Sequence, residues 1–337
     1  MNRRSGSLVA ASSLVIAVFV PLAAQESGAW KDPSPHQISF VTVDKDVRLE
    51  VLDWGGSGRP LVLLTGLGNT AHVFDDFAPK LIRDYHVIGI TRRGYGASTI
   101  AASGYDANRL GDDVLAVLDS LNLKSPVLVG HSVGGAELSS VGSRHPERVA
   151  GLVYLDAAYA YAFDNGKGTT MAELDELGRT IPSMPPPSDS DLASYSALQD
   201  WGERVRGFRM PEADFRQGRS TNSDGTPGER RTPANIPQMV IAGISKFTEI
   251  KVPVLALCAM PQITRGYLRD SPNPDVRTAT QAYDAHYNAA KEKQLKSFAE
   301  GIPRAKVVRI ANADHYIFIT NEVEVLAEMR DFLSKLK

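Results

Sequence analysis

At 337 residues, with 43% hydrophobic and 23% charged side chains, the chain is long enough for one large globular α/β domain with ample core. A net charge of −2 offers no basic field for nucleic acid, and neither a nucleic-acid recognition motif nor an internal repeat is present. The single cysteine, Cys258, excludes an intramolecular disulfide, and its apolar run (252–258) makes it a small buried hydrophobe. Arg3 and Arg4 precede an uncharged, largely apolar run from Leu8 to Val20 and then Pro21-Leu22-Ala23-Ala24. This pattern predicts a secretory signal peptide at 1–24, cleaved after Ala24, and an address in a bacterial periplasm or exterior. The run is short for a bilayer span and no later run is long enough, so no integral span is expected after signal removal.

A polar linker occupies 25–37, and Ile38–Val43 and Val47–Leu52 then alternate as two strands about Asp44-Lys45-Asp46. Pro60–Leu64 is continuously apolar, as a parallel strand buried on both faces requires. It ends in the glycine-rich turn Thr65-Gly66-Leu67-Gly68, ahead of a predicted helix carrying Phe74, Phe77, Leu81 and Ile82. His86–Ile90 is the next strand, and Leu110, Val114, Val117, Leu118 and Leu121 fall at helical spacing.

The central stretch is Val127-Leu128-Val129-Gly130-His131-Ser132-Val133-Gly134-Gly135-Ala136. A short buried strand runs into a serine at G-x-S-x-G spacing, and small residues open the helix behind it. That context is what a nucleophile elbow needs: a strained turn without bulky neighbours, and a helix N-terminus offering N–H groups and a positive dipole end.

Gly151–Leu155 is a further strand, ending in Asp156. From 159 to 249 the strand–helix alternation breaks, with loop segments such as Pro185-Pro186-Pro187 and a predicted helix at 237–247; an insertion of this length reads as a lid. Seven arginines between Arg204 and Arg231, interspersed with Glu203, Glu212, Asp214 and Glu229, read as a solvated lid surface rather than an anion site. Tyr159, Tyr161, Phe163 and Val240 are candidates for an apolar pocket lining or for lid core. The sheet resumes at 252–257, followed by a helix at 278–300, a strand at 306–310, the loop Ala311–Tyr316, and a last helix with a capping-box start from Asn321 to Glu324. The predicted fold class is α/β, a mostly parallel central sheet with helices on both faces. Its core spans 38–158 and 250–337, with a largely helical lid at 159–249.

Gly130-His131-Ser132-Val133-Gly134, Thr65-Gly66-Leu67-Gly68, Arg93-Gly94-Tyr95-Gly96-Ala97-Ser98 and Asp314-His315 together resemble the α/β-hydrolase superfamily, over roughly Val41 to Leu336. The resemblance implies Ser132 as nucleophile, inert unless a base takes its proton, and His315 as that base. His315 alone among seven histidines sits in a loop just past a C-terminal strand. His131 is expected to pack beside the serine or form pocket wall, and His145 to lie at the surface.

The acid is less direct. Family members usually carry it after the strand that here ends at Leu257, where this chain has Cys258-Ala259-Met260 and no carboxylate. A second family position falls at Asp156, the preferred candidate, with Asp270 and Asp275 as alternatives. The backbone N–H groups of Leu67 and Val133 are the expected oxyanion hole. No metal or organic cofactor is implied. The expected function is a serine hydrolase cleaving a small-molecule carboxylic ester with a small or medium apolar acyl group. The alternatives are the same triad acting on an amide, lactone or carbon–carbon bond, and a non-catalytic ligand-binding protein on the same scaffold.

Overall fold

The computed structural model describes residues 30–336; the expected signal peptide and most of the expected linker lie outside the described residues. The fold described below lies within 34–336.

Among the described residues, eight strands form one sheet. In chain order they are β1 (Gln37–Asp44), β2 (Val47–Gly55), β3 (Pro60–Leu64), β4 (His86–Ile90), β5 (Val127–His131) and β6 (Gly151–Leu155), then β9 (Val254–Ala259) and β10 (Ala305–Ile310). Between β6 and β9 a small hairpin, β7 (Arg219–Thr221) and β8 (Pro227–Arg230), stands apart. The sheet order is β1-β2-β4-β3-β5-β6-β9-β10. The β1–β2 and β2–β4 pairings are antiparallel and the remaining five are parallel, so the expected mostly parallel sheet is present.

The central strands are apolar on both faces because both are covered. Within β3, Val62 and Leu64 enter the core layer shared with α1 (Ala107–Ser120) and α2 (Gly134–Arg144). Leu61 and Leu63 enter the opposite layer, shared with Phe74, Phe77 and α10 (Glu322–Ser334). This is the period-two alternation of a strand in a three-layer fold. The insertion between β6 and β9 carries α3 (Met171–Gly178), α4 (Tyr195–Arg206), α5 (Glu212–Gln217) and α6 (Asn235–Ala242). After β9 come α7 (Gly266–Arg269) and α8 (Pro274–Gly301), and α9 (Ile317–Thr320) precedes α10.

Four sequence expectations are corrected. The helix expected to carry Phe74 through Ile82 is two 3-10 turns, Ala71–Phe74 and Ala78–Lys80. Pro79 lacks the N–H that a continuous helix needs at that position, and Phe74, Phe77 and Leu81 are buried without one. The expected helix at 237–247 spans Asn235–Ala242 and stops at Gly243. The capping box at Asn321 does not form: α9 runs directly into α10, the Asn321 backbone N–H closes α9 onto Ile317, and its side chain donates to Ala311 O instead. The helix expected at 278–300 is longer, starting at Pro274 with the Asn273 side chain accepting from Asp275 N.

Candidate active site

Ser132 follows β5 at the sharp turn into α2, with φ of +51°. A non-glycine residue in this left-handed region is strained, and persists only where its surroundings over-determine it. Here they do. The Ser132 N–H donates to Leu155 O on β6 at 3.2 Å, and α2 starts in direct contact with the next strand's exit. A Cβ on Gly135 would lie 2.4 Å from Ala157 O, so only glycine lets the helix approach so closely.

The turn after β3 comes down beside the elbow. A Cβ on Gly66 would meet His131 Nδ1 at 2.8 Å and Ser132 Cβ at 3.2 Å. Arg92, buried behind this turn, donates to Thr65 O at 2.7 Å and to Gly66 O at 3.3 Å, while its Nε pairs with buried Glu137. The turn is thus held by its carbonyls. Neither the Leu67 N–H nor the Val133 N–H donates to another of the described residues, and Leu67 and Ser132 line one cavity. Two N–H groups left open beside a serine suit a developing oxyanion.

Asp156 follows β6, also left-handed with φ of +43°, and is fully buried. Its Oδ2 lies 2.7 Å from His315 Nδ1 and accepts from the Tyr159 hydroxyl at 3.0 Å. Its Oδ1 accepts from Ala259 N at 3.0 Å and lies 2.7 Å from Lys291 Nζ. Burial works to raise the Asp156 pKa, but the Lys291 ammonium, the His315 imidazole and their hydrogen bonds outweigh it and hold the carboxyl well below its usual range. The carboxylate therefore stays charged and presents one oxygen to the imidazole. The histidine tautomer follows from that contact: a proton on Nδ1 directed at Asp156 leaves Nε2 as the basic nitrogen.

His315 stands in the loop between β10 and α9, 19% exposed, so its outer edge reaches the cavity. Ser132 and His315 border the same two cavities, and no hydrogen bond joins Ser132 Oγ to the imidazole. Such contacts tighten when substrate excludes water. His131 is fully buried, its Nε2 hydrogen-bonded to His315 O at 3.1 Å; burial and the neighbouring imidazole depress its pKa and keep it neutral, as a packing residue. His145 is 37% exposed at its side chain, as expected. Asp270 and Asp275, the alternative acids, lie elsewhere: Asp270 is exposed and paired with Arg269, and Asp275 is exposed in the first turn of α8.

The larger cavity, about 430 Å³, is walled by Tyr159, Tyr161 and Tyr287 beside the serine, and by Met171, Leu174 and Ile181 of the insertion. Phe163 and Val240 belong to packed cores instead. Sequence reasoning did not single out Lys291. Its signal was a lysine on the apolar stripe of α8, in register with Tyr287, Leu295 and Phe298 at i−4, i+4 and i+7. A long cation on that stripe needs a buried anion, and Asp156 meets that need.

Residues 59–322 match the family model for the alpha/beta hydrolase fold. A non-heme haloperoxidase from Rhodococcus erythropolis is 32% identical over 53% of this chain and 64% of its own length. A bifunctional esterase/perhydrolase from Acinetobacter calcoaceticus is 30% identical over 36% of this chain and 45% of its own. The chain thus spans about half to two thirds of these relatives in sequence. Among solved structures, E-2-(acetamidomethylene)succinate hydrolase superposes with a TM-score of 0.64 at 18% identity, covering 89% of this chain and 99% of that one. An esterase from a Rhodococcus species gives 0.58 at 20% identity, covering 89% and 99%. With the family model spanning most of the chain, and the strand order and elbow to match, the chain belongs to the alpha/beta hydrolase fold family.

Proposed function

We propose that this protein is a serine hydrolase that cleaves a carboxylic ester through an acyl-enzyme on Ser132. The observation that carries the reading is the 2.7 Å contact between His315 Nδ1 and an ionised, fully buried Asp156, in a cavity that Ser132 shares. In this reading Ser132 Oγ attacks the ester carbonyl carbon and its proton passes to His315 Nε2. The carbonyl oxygen becomes an oxyanion facing the Leu67 and Val133 N–H groups. The carbon–oxygen bond to the leaving group breaks, and His315 returns the proton to the departing alkoxide. Water then attacks the acyl-enzyme, His315 takes its proton, and Ser132 leaves with that proton restored. Asp156 holds the imidazole in the correct tautomer and offsets its transient charge, while Lys291 and Tyr159 hold Asp156.

The named activities of the relatives from Acinetobacter calcoaceticus and the Rhodococcus species support an ester substrate. The contact between Asp156 and His315 supports a catalytic reading over a non-catalytic ligand-binding one. A fluorophosphonate probe and a series of p-nitrophenyl esters test the proposal on wild type and Ser132→Ala. Labelling and turnover lost together in the variant support it; folded wild-type protein that is neither labelled nor active sinks it. We also propose export, from the Arg3-Arg4 start and the apolar run to Val20. Sequencing the N-terminus of protein from a bacterial periplasm should find a chain beginning at Gln25, and an intact Met1 there would refute it.

A further inference from the structure

The seven arginines from Arg204 to Arg231 do not behave alike. Arg204, Arg209 and Arg216 each pair with a carboxylate, Asp191, Asp200 with Glu203, and Glu212 respectively, as a solvated surface would have them. Arg219 and Arg231 donate to backbone carbonyls of the hairpin region. Arg206 and Arg230 have no carboxylate within salt-bridge distance, and both line a cavity of about 340 Å³ that reaches Ser132, His315 and the oxyanion turn at Leu67. A third cation, Arg265, enters the same cavity from the segment after β9; it has no carboxylate within salt-bridge distance among the described residues, and the Asp314 charge acts on it from further away. Arg206 is half-buried, donating weakly to Gly202 O and resting over the Trp201 ring, while Arg230 and Arg265 are exposed.

Three guanidinium groups, from α4, β8 and the start of α7, thus line one cavity that the nucleophile also borders. Among the described residues the one carboxylate lining that cavity is Asp314, which is buried and accepts from Tyr316 N. The cavity holds three guanidinium groups against one carboxylate, an excess of positive charge that a bound anion offsets. The neighbouring cavity of about 430 Å³, which shares Ser132, His315 and Arg265 with this one, is lined mainly by aliphatic and tyrosine side chains, with Gln262, Thr264 and Asp284 as polar members.

Resting on the serine-hydrolase reading, we infer that the substrate is an ester bearing a carboxylate on one side of the scissile bond, held by Arg206, Arg230 and Arg265, with its apolar part in the tyrosine-lined cavity. Guanidinium forks match carboxylates in geometry as well as charge. On this inference two of the seven arginines, Arg206 and Arg230, serve the cavity rather than a solvated surface.

The test compares monoethyl adipate with diethyl adipate, which differ by one ionised group. Wild type is expected to favour the half-ester in kcat/KM, by ~10-fold or more, with the preference shrinking as salt rises. Arg265→Gln and Arg230→Gln should each lower the half-ester to diester ratio by ~10-fold, and Arg265→Lys should retain part of it. Thermal melting checks that each variant folds. A wild-type enzyme that prefers the diester, or a ratio the arginine variants leave in place, overturns the anion site while leaving the hydrolase reading intact. If neither ester is cleaved and no fluorophosphonate is taken up, the hydrolase reading fails instead. Calorimetric titration of adipate into wild type and Arg265→Gln then decides the site: binding weakened in the variant supports it, and no binding to wild type overturns it.

Discussion

Ser132 and Asp156 stand at the carboxyl ends of neighbouring parallel strands, both in left-handed backbone conformations, at φ of +51° and +43°. The serine is held by its own neighbourhood: the strand before it, the glycine-opened helix after it, and the Leu155 carbonyl beside it. The aspartate is held by distant segments: Ala259 from β9, Lys291 from α8 and His315 from the loop after β10. The first region is built by local steric fit and the second by pairing charges out of water. Local fit is robust to changes elsewhere in the chain, whereas a buried charge pair fails when any one partner is removed.

The largest expected effect is on the chemistry. Ser132→Ala should lower ester turnover on the order of 10⁴-fold or more with little change in folding, measured by steady-state kinetics and thermal melting. Asp156→Asn should cost roughly 10³- to 10⁴-fold in kcat, because an amide no longer stabilises the protonated imidazole. Activity close to wild type in that variant would break the comparison by assigning the acid elsewhere.

Stability sharpens it next. Gly135→Val adds atoms where a Cβ already lies 2.4 Å from Ala157 O, and should destabilise by about 3 kcal/mol or more, read as the denaturant midpoint. Lys291→Met should lower kcat by ~10-fold and change how the protein responds to acid. A depressed Asp156 pKa contributes stability that is present above the unfolded value near ~4 and lost as pH falls through the folded one. Without Lys291 the effect of burial gains weight and the carboxyl pKa rises, so the variant should be less stable than wild type at neutral pH and lose less stability on going from neutral pH into acid. A variant with unaltered acid unfolding would show that the ammonium contributes little. The smallest effect belongs to the insertion's surface: Arg204→Gln, which removes an exposed pair with Asp191, should melt within error of wild type.

Much of the sheet was legible because continuous apolar runs such as 60–64 and 151–155 have few other places to go in a globular α/β fold. The elbow was legible because its glycines, its serine and its strand and helix lie within ten contiguous residues. Where expectation failed, a backbone detail intervened: Pro79 split one helix into two short turns, and α9 took up the Asn321 backbone N–H that a capping box would have used.

Side-chain partnerships were decided by the tertiary structure. Asp156, Asp270 and Asp275 are equivalent as letters, and only the stacking of β6 beside β9 brings the first within 2.7 Å of His315. Lys291 is one of many lysines until α8 folds across the end of β9 and buries it against Asp156. The arginines of the insertion likewise separate into surface pairs and cavity cations only after α4 and β8 have packed near the elbow. Covalent neighbours and hydrophobic periodicity are properties of the chain itself, and they determined the strands, the elbow and the family. Desolvation and charge pairing depend on which distant segments meet, so the acid, its lysine and the cations around the serine were determined by folding.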